Sequence, residues 1–430
     1  MNAAVSGILF LGALLVIFSE KLHRTITAVA GAAVMVAAGL TLGFYDEELA
    51  VESIDFETLG LLLGMMLLVS LLQPTGFFEY LAIQAARLSR GRPVVLFILL
   101  GTVTTVLSMF LDNVTTVVLI APVTILISEI LGINPVPYLM SEALLSNTGG
   151  VGTLVGDPPN VLIGSQAMLT FADFLRNSLP VVIVVWFLVL ALLLFLFRAD
   201  LRGAPAGIAA LQNLEPAKAL NEPVVARRVL IVLGGAILLF FVHHLLHVSP
   251  AFIALSAAAV AMVWVQPDVH SVFERVEWSV LIFFAALFVM VGGLEASGVL
   301  DSVADLVASA GGGGAHPALL GVGLIWVVAI LSAVVDNIPI TIALIPVIEE
   351  LGMAGIDIEP LWWALVFGAG FGGNGTIIGS TANIVVVSLS ERTRRPITAA
   401  AWMRRGLPTM ILACALASIL YVVFFPAFGR

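Results

Sequence analysis

Apolar residues follow one another along this chain in long continuous runs, without the alternation that marks a half-buried strand. Runs at about 4–18, 26–44, 57–73, 178–197, 228–246, 250–266, 277–295 and 406–425 predict membrane-spanning helices. Two longer stretches, about 93–131 and 317–351, are each interrupted near the centre by an Asp-Asn pair. Two more, about 138–170 and 360–391, are interrupted by glycine-rich polar segments. Backbone that leaves the helix at membrane depth is tolerated only against protein or a watery cavity. These four stretches are therefore the predicted site elements.

The interruptions repeat. Ser108-Met-Phe-Leu-Asp112-Asn113-Val-Thr115 and Ser332-Ala-Val-Val-Asp336-Asn337-Ile-Pro339 share Ser, Asp and Asn at one offset (336−112 = 224). Gln73-Pro-Thr-Gly76 pairs with Glu295-Ala-Ser-Gly298. Gly149-Gly150-Val-Gly152-Thr153 through Gly156-Asp157-Pro158-Pro159-Asn160 pairs with Gly372-Gly373-Asn374-Gly375-Thr376 through Gly379-Ser380-Thr381-Ala382-Asn383. Each half thus reads as span, amphipathic segment, hairpin, broken helix. Inverted repeats with helices broken at mid-membrane are the signature of secondary transporters.

Composition narrows the class. Of 430 residues, 60% are hydrophobic and 11% charged, which excludes an ordinary soluble domain. Continuous runs favour a helical bundle over a barrel. The lone Cys414 excludes an intrachain disulfide and a multi-thiolate metal site. No basic residue precedes the first run, so it reads as a span and not a cleaved leader. The net charge of −10 says little about partners, and nothing suggests nucleic acid.

Lysine and arginine set the orientation. Lys21, Arg24, Arg87, Arg90, Arg92, Arg275, the arginines at 392–405 and the basic residues of 198–228 all fall on one face only if stretches 93–131 and 317–351 are re-entrant. The expected fold is an all-α polytopic membrane protein with two inverted repeats, each holding a re-entrant helical hairpin and a broken transmembrane helix. Its expected organisation is scaffold spans at 1–56, a first repeat at 57–197 with hairpin 93–131 opening to the cytoplasm, and a cytoplasmic linker at 198–227. Scaffold spans at 228–276 and a second repeat at 277–430, with hairpin 317–351 opening to the exterior, complete it. Both termini are expected outside, in the inner membrane of a prokaryote.

An ionised carboxylate at a helix centre costs roughly 2.5–3.5 kcal/mol on insertion scales. Asp112 and Asp336 can cap the second hairpin arms, as many Asp residues do. Neutral Ser or Asn would cap as well, so the charge itself points to an ion or a polar solute. Asn113, Thr115, Asn337 and Thr341 stand beside them. In the broken helices Asn147, Thr148, Gly150, Thr153, Gly156 and Asn160 face Gly373, Asn374, Thr376, Ser380 and Asn383 as further candidates. Glycines alone would suggest close helix packing, but their clustering with Asp, Asn and Thr favours a site. Asp157, whose repeat mate is Ser380, is a candidate proton carrier with Asp112, Asp336 and Glu142. Glu142 can equally be a residue near the cytoplasmic surface. His243, His244 and His247 lack a ligand cluster and read as interfacial.

These motifs resemble the ion transporter superfamily. Phe110-Leu111-Asp112-Asn113-Val114-Thr115-Thr116, Val335-Asp336-Asn337 and Gly156-Asp157-Pro158-Pro159-Asn160 look most like its branch of arsenite permeases (ArsB), NhaD-type sodium/proton antiporters and the pink-eyed-dilution P protein. The resemblance covers about residues 5–425. In the related dicarboxylate transporters the tips read Ser-Asn-Thr. Here Asp112 and Asp336 replace that serine, which argues against a di-anion. The resemblance implies elevator-like alternating access, a homodimer, a lipid environment, no cofactor and no enzymatic activity. A cytoplasmic ATPase partner is an outlying option. The expected function is proton-coupled export of arsenite or antimonite, with Na+/H+ antiport as the alternative. A small-anion transporter, a channel and an intramembrane aspartyl protease stand further off.

Overall fold

The computed structural model describes residues 2–18, 22–202, 207–299, 317–353 and 355–429, and these contain helices and no strands. Among the described residues seven helices are long and apolar enough to cross a membrane, and five shorter apolar helices accompany them. The repeat extends through almost every helix. Helices α1 (Asn2–Phe18), α2 (Arg24–Leu42) and α3 (Phe56–Leu72) open the first half. The amphipathic α4 (Phe77–Ser89), the hairpin arms α5 (Pro93–Ser108) and α6 (Asn113–Leu131), and the broken pair α7 (Val136–Gly150) and α8 (Pro158–Gln166) follow. Helix α9 (Leu179–Leu196) closes it.

The second half gives α10 (Pro223–Leu246), α11 (Pro250–Val265), α12 (Trp278–Ala296), α13 (Pro317–Val334) and α14 (Asn337–Met353). It ends with α15 (Glu359–Gly372), α16 (Thr381–Ser390) and α17 (Ala399–Val423). The amphipathic segment expected after Gly298 lies outside the described residues. Most of the 198–227 linker consists of short turns, with α10 starting inside it at Pro223.

Local chemistry explains the breaks. Asp112 is extended, and its carboxylate accepts from the Thr115 amide at 2.9 Å, so it ends the turn and caps α6. Gly132 closes α6 in the left-handed region at φ 66°, a conformation that a side chain would strain. Pro122 and Pro346 lie inside the second arms, where the ladder loses one bond. Helix α6 is long enough to span by itself, but its first turn starts at a tip inside the protein rather than at a surface.

The halves interlock. The two arms of each half pack against that half's broken helix, α5 on α7 and α13 on α15. Each second arm also packs on the opposite half, α6 on α16 and α14 on α8. The framing spans exchange in the same way, α3 against α11 and α2 against α12. At Gly64 the α11 backbone comes so close that a Cβ would lie 2.5 Å from the Ala254 carbonyl carbon. This is an integral membrane protein built as two inverted repeats around one shared centre.

Candidate functional site

Both hairpin tips reach the same small chamber. Asp112, Asn113, Asp336 and Asn337 line it together with Asp157, Pro158, Ser380 and Thr381 from the broken helices, and Arg24, Met66, Glu277 and Val280 from the framing spans. Its volume is about 30 Å³, the share of one water molecule in the liquid. A much larger cavity, about 680 Å³, lies elsewhere, lined from residues 166–177, 349–363 and 427–429, and holds neither tip.

Asp157 is the most enclosed acid of the chamber. It is 3% exposed, and its Oδ2 accepts from the Asn337 Nδ2 of the opposite half at 3.0 Å. Asn113 Oδ1 accepts from the Ser108 hydroxyl, which also holds the Ser146 carbonyl. Among the described residues no three His, Cys, Asp or Glu side chains converge closely enough to hold a metal ion.

Several expected ligands support the breaks instead. Asn160 Nδ2 donates to the carbonyls of Gly150 and Thr153 at 2.9 and 2.8 Å. Asn383 Nδ2 does the same for Gly373 and Thr376 at 2.8 and 2.9 Å. Thr153 and Thr376 donate to the carbonyls of Met109 and Ala333, just before the tips. Thr341 donates to the Asn337 carbonyl at 2.8 Å. Gly150 and Gly156 are a close crossing, since a Cβ on Gly156 would lie 2.6 Å from the Gly150 oxygen. Gly373 and Gly379 repeat that crossing.

The halves differ at their contact. Asn147 Nδ2 donates to Asn374 Oδ1 and Asn383 Oδ1, both at 3.1 Å, and its Oδ1 accepts from Ser380 at 3.0 Å. Asn374 in turn donates to Thr148 at 3.3 Å. The repeat mates of Asn147 and Asn374 are Gly370 and Val151 (370−147 = 374−151 = 223), and there the Val151 side chain occupies the space a Cβ on Gly370 would need. One side of the pseudo-axis is a polar lock and the other an apolar wedge.

Glu142 is fully buried on α7 but does not line the chamber. It accepts from the Thr124 hydroxyl, and its Oε2 has no partner among the described residues. Thr115 gives its amide to Asp112 and lines a neighbouring cavity of about 220 Å³ with Gln73, Arg275 and Glu277.

Two residues that the sequence did not single out are prominent. Arg24 Nη1 donates to Asp336 Oδ2 at 2.6 Å and to the Thr381 hydroxyl at 2.8 Å. Glu277 sits just before the α12 span. It lines the chamber with both tips and also the neighbouring cavity with Thr115 and Arg275.

The tips are not centred between the framing spans. Asp112 stands with Met66 of α3, and the mate of Met66 is Met290 of α12 (290−66 = 224). The α12 residues that share the chamber with both tips are Glu277 and Val280, at least 10 residues before Met290 (290−280), and Arg24, the partner of Asp336, lies over Phe283 of the same helix. Ten residues correspond to about 15 Å of helix.

A family described as "Citrate transporter" matches residues 14–368. The chain belongs to this family. It is thereby placed in the ion transporter superfamily, and it is a membrane transporter rather than an enzyme. It is 38% identical to a "46 kDa membrane protein" of Mycobacterium leprae, over 94% of each chain. It is 38% identical to an uncharacterized transporter of Mycobacterium tuberculosis, over 98% of each. The human P protein is 32% identical over 96% of this chain and 59% of its own. The Alcanivorax borkumensis YdaH transporter, described as having an unusual topology, shares the fold at a TM-score of 0.64 with 17% identity over all of both chains.

Proposed function

We propose that this family member is a secondary transporter that exchanges a small cation for protons at the shared chamber. The observation that carries the reading is the lining: three aspartates from three elements, Asp112, Asp157 and Asp336, with Glu277 beside them and Arg24 as the one basic side chain. Citrate carries up to three negative charges, and such a lining would repel it. Hard carboxylate and carbonyl oxygens suit Na+ or Li+, and carboxylates are also the proton acceptors that exchange requires.

The off-centre tips support alternating access in which hairpins and broken helices move as a unit against the framing spans. The state with the opposite opening would place Asp336 near Met290. A cysteine pair at Ile338 and Val280 should then cross-link in the present state, and a pair at Ile338 and Met290 only in the opposite one. Cross-linking of both pairs to the same extent in one trapped state would rule out the movement.

Arsenite export, the function expected from the sequence, becomes the second reading. Its uncharged trihydroxide would use the hydroxyl and amide lining of Asn113, Asn337, Ser380 and Thr381. Proteoliposomes with an imposed pH gradient separate the two. Na+ or Li+ should collapse the gradient, whereas collapse by arsenite alone would overturn the cation reading.

A further inference from the structure

The two acidic tips are equivalent in sequence but differ in their surroundings. Asp112 makes a cap with the Thr115 amide, and no lysine or arginine pairs with it among the described residues. Asp336 is held by Arg24 at 2.6 Å and by the Thr381 hydroxyl at 2.9 Å, with the two ion-paired side chains 26% and 17% exposed. Arg24 also lies over the Phe283 ring, 5.4 Å from its centroid, a placement that favours a cation. The repeat mate of Arg24 is Val248 (24 + 224), so the other tip has no such group.

Arg24 opens α2, a framing span packed on α12, whereas Asp336 and Thr381 belong to the hairpin and the broken helix. The ion pair therefore joins two units that the proposed cycle separates. It forms only because Asp336 stands at the Glu277 end of α12. With Asp336 near Met290, the guanidinium would be out of reach.

We infer that Arg24 is a tethered stand-in for the transported cation, occupying Asp336 until an incoming ion displaces it and frees the moving unit. This inference rests on the cation reading above. Competition from a tethered group lowers the apparent affinity by the fraction of time the site is occupied. Arg24 thus sets affinity and commitment to movement, as a positioning residue.

The test uses Na+ and Li+ as probes on purified full-length protein in proteoliposomes. Arg24→Gln should lower the half-saturating cation concentration about tenfold, while Arg24→Lys, which keeps the charge, stays within about twofold of the parent. Thr381→Val removes the hydroxyl shared by Arg24 and Asp336 and should lower it by a smaller factor, which covers the case of an unstable Arg24→Gln. If the parent shows no Na+- or Li+-driven exchange, the cation reading fails first. If the parent exchanges cations, but Arg24→Gln and Thr381→Val lose only maximal rate at unchanged half-saturation, the displacement idea is wrong and Arg24 is merely structural.

Discussion

Asp157→Asn should reduce exchange at least a hundredfold in proteoliposomes while leaving the melting temperature unchanged or higher. The side chain keeps its size and an oxygen to accept from Asn337 Nδ2, now 3.0 Å away. The break at this point does not need the charge. Its mate Ser380 sits at the same step of the second half, and the chain reversal there is held by Asn383, as Asn160 holds the first. What the substitution removes is a carboxylate 3% exposed and facing both tips. Removing a buried charge without opening a cavity is neutral or stabilising by up to a few kcal/mol. Loss of function with retained stability would mark the carboxylate as part of the exchange path. Retention of exchange within a few-fold would remove Asp157 from that path and leave the tips alone to bind and release protons.

Asn147→Ala should destabilise by at least about 3 kcal/mol, because three groups lose their partner at once, at about 1–3 kcal/mol for each buried polar atom left alone. The groups are Asn374 Oδ1, Asn383 Oδ1 and the Ser380 hydroxyl. The molecule already contains the apolar alternative on the other side of its pseudo-axis, with Val151 filling the space over Gly370. Asn147→Gly combined with Asn374→Val copies that pair and should recover a measurable part of the loss. Recovery would be partial because Ser380 and Asn383 still lack their partner. Strict additivity of the two substitutions in a thermal-melt cycle would show that the pair does not act as a unit.

Most of the scaffold was legible because its signals are local. Apolar runs, the Asp-Asn tips and the glycine breaks each lie within about a dozen residues, and the tips do meet at one chamber. Even the polar lock left a trace, since Asn147 and Asn374 align with Gly370 and Val151, an inequality within an otherwise matched segment. Arg24 was not legible. It follows the first span with Lys21, where a basic residue reads as an orientation signal, and nothing local says that α2 begins beside Asp336. Glu277 was hidden for the same reason, as one acid among several in a short loop. The amides of Asn160 and Asn383 were expected as ligands. A helix break frees carbonyls that must be satisfied, and the nearest amide does so.

The offset of the tips along α12 has an electrical corollary. In the proposed movement, a stroke of about 15 Å would cover roughly half of a 30 Å hydrocarbon layer. Any net charge that travels with the tips then feels about half the transmembrane voltage, roughly 1 kcal/mol per charge per 100 mV. Aspartates neutralised by protons or by a bound cation would cross almost without electrical work, whereas bare ones would be driven or held back by the field. The membrane potential would thus select which loaded forms make the crossing, without any sensor apart from the tips themselves.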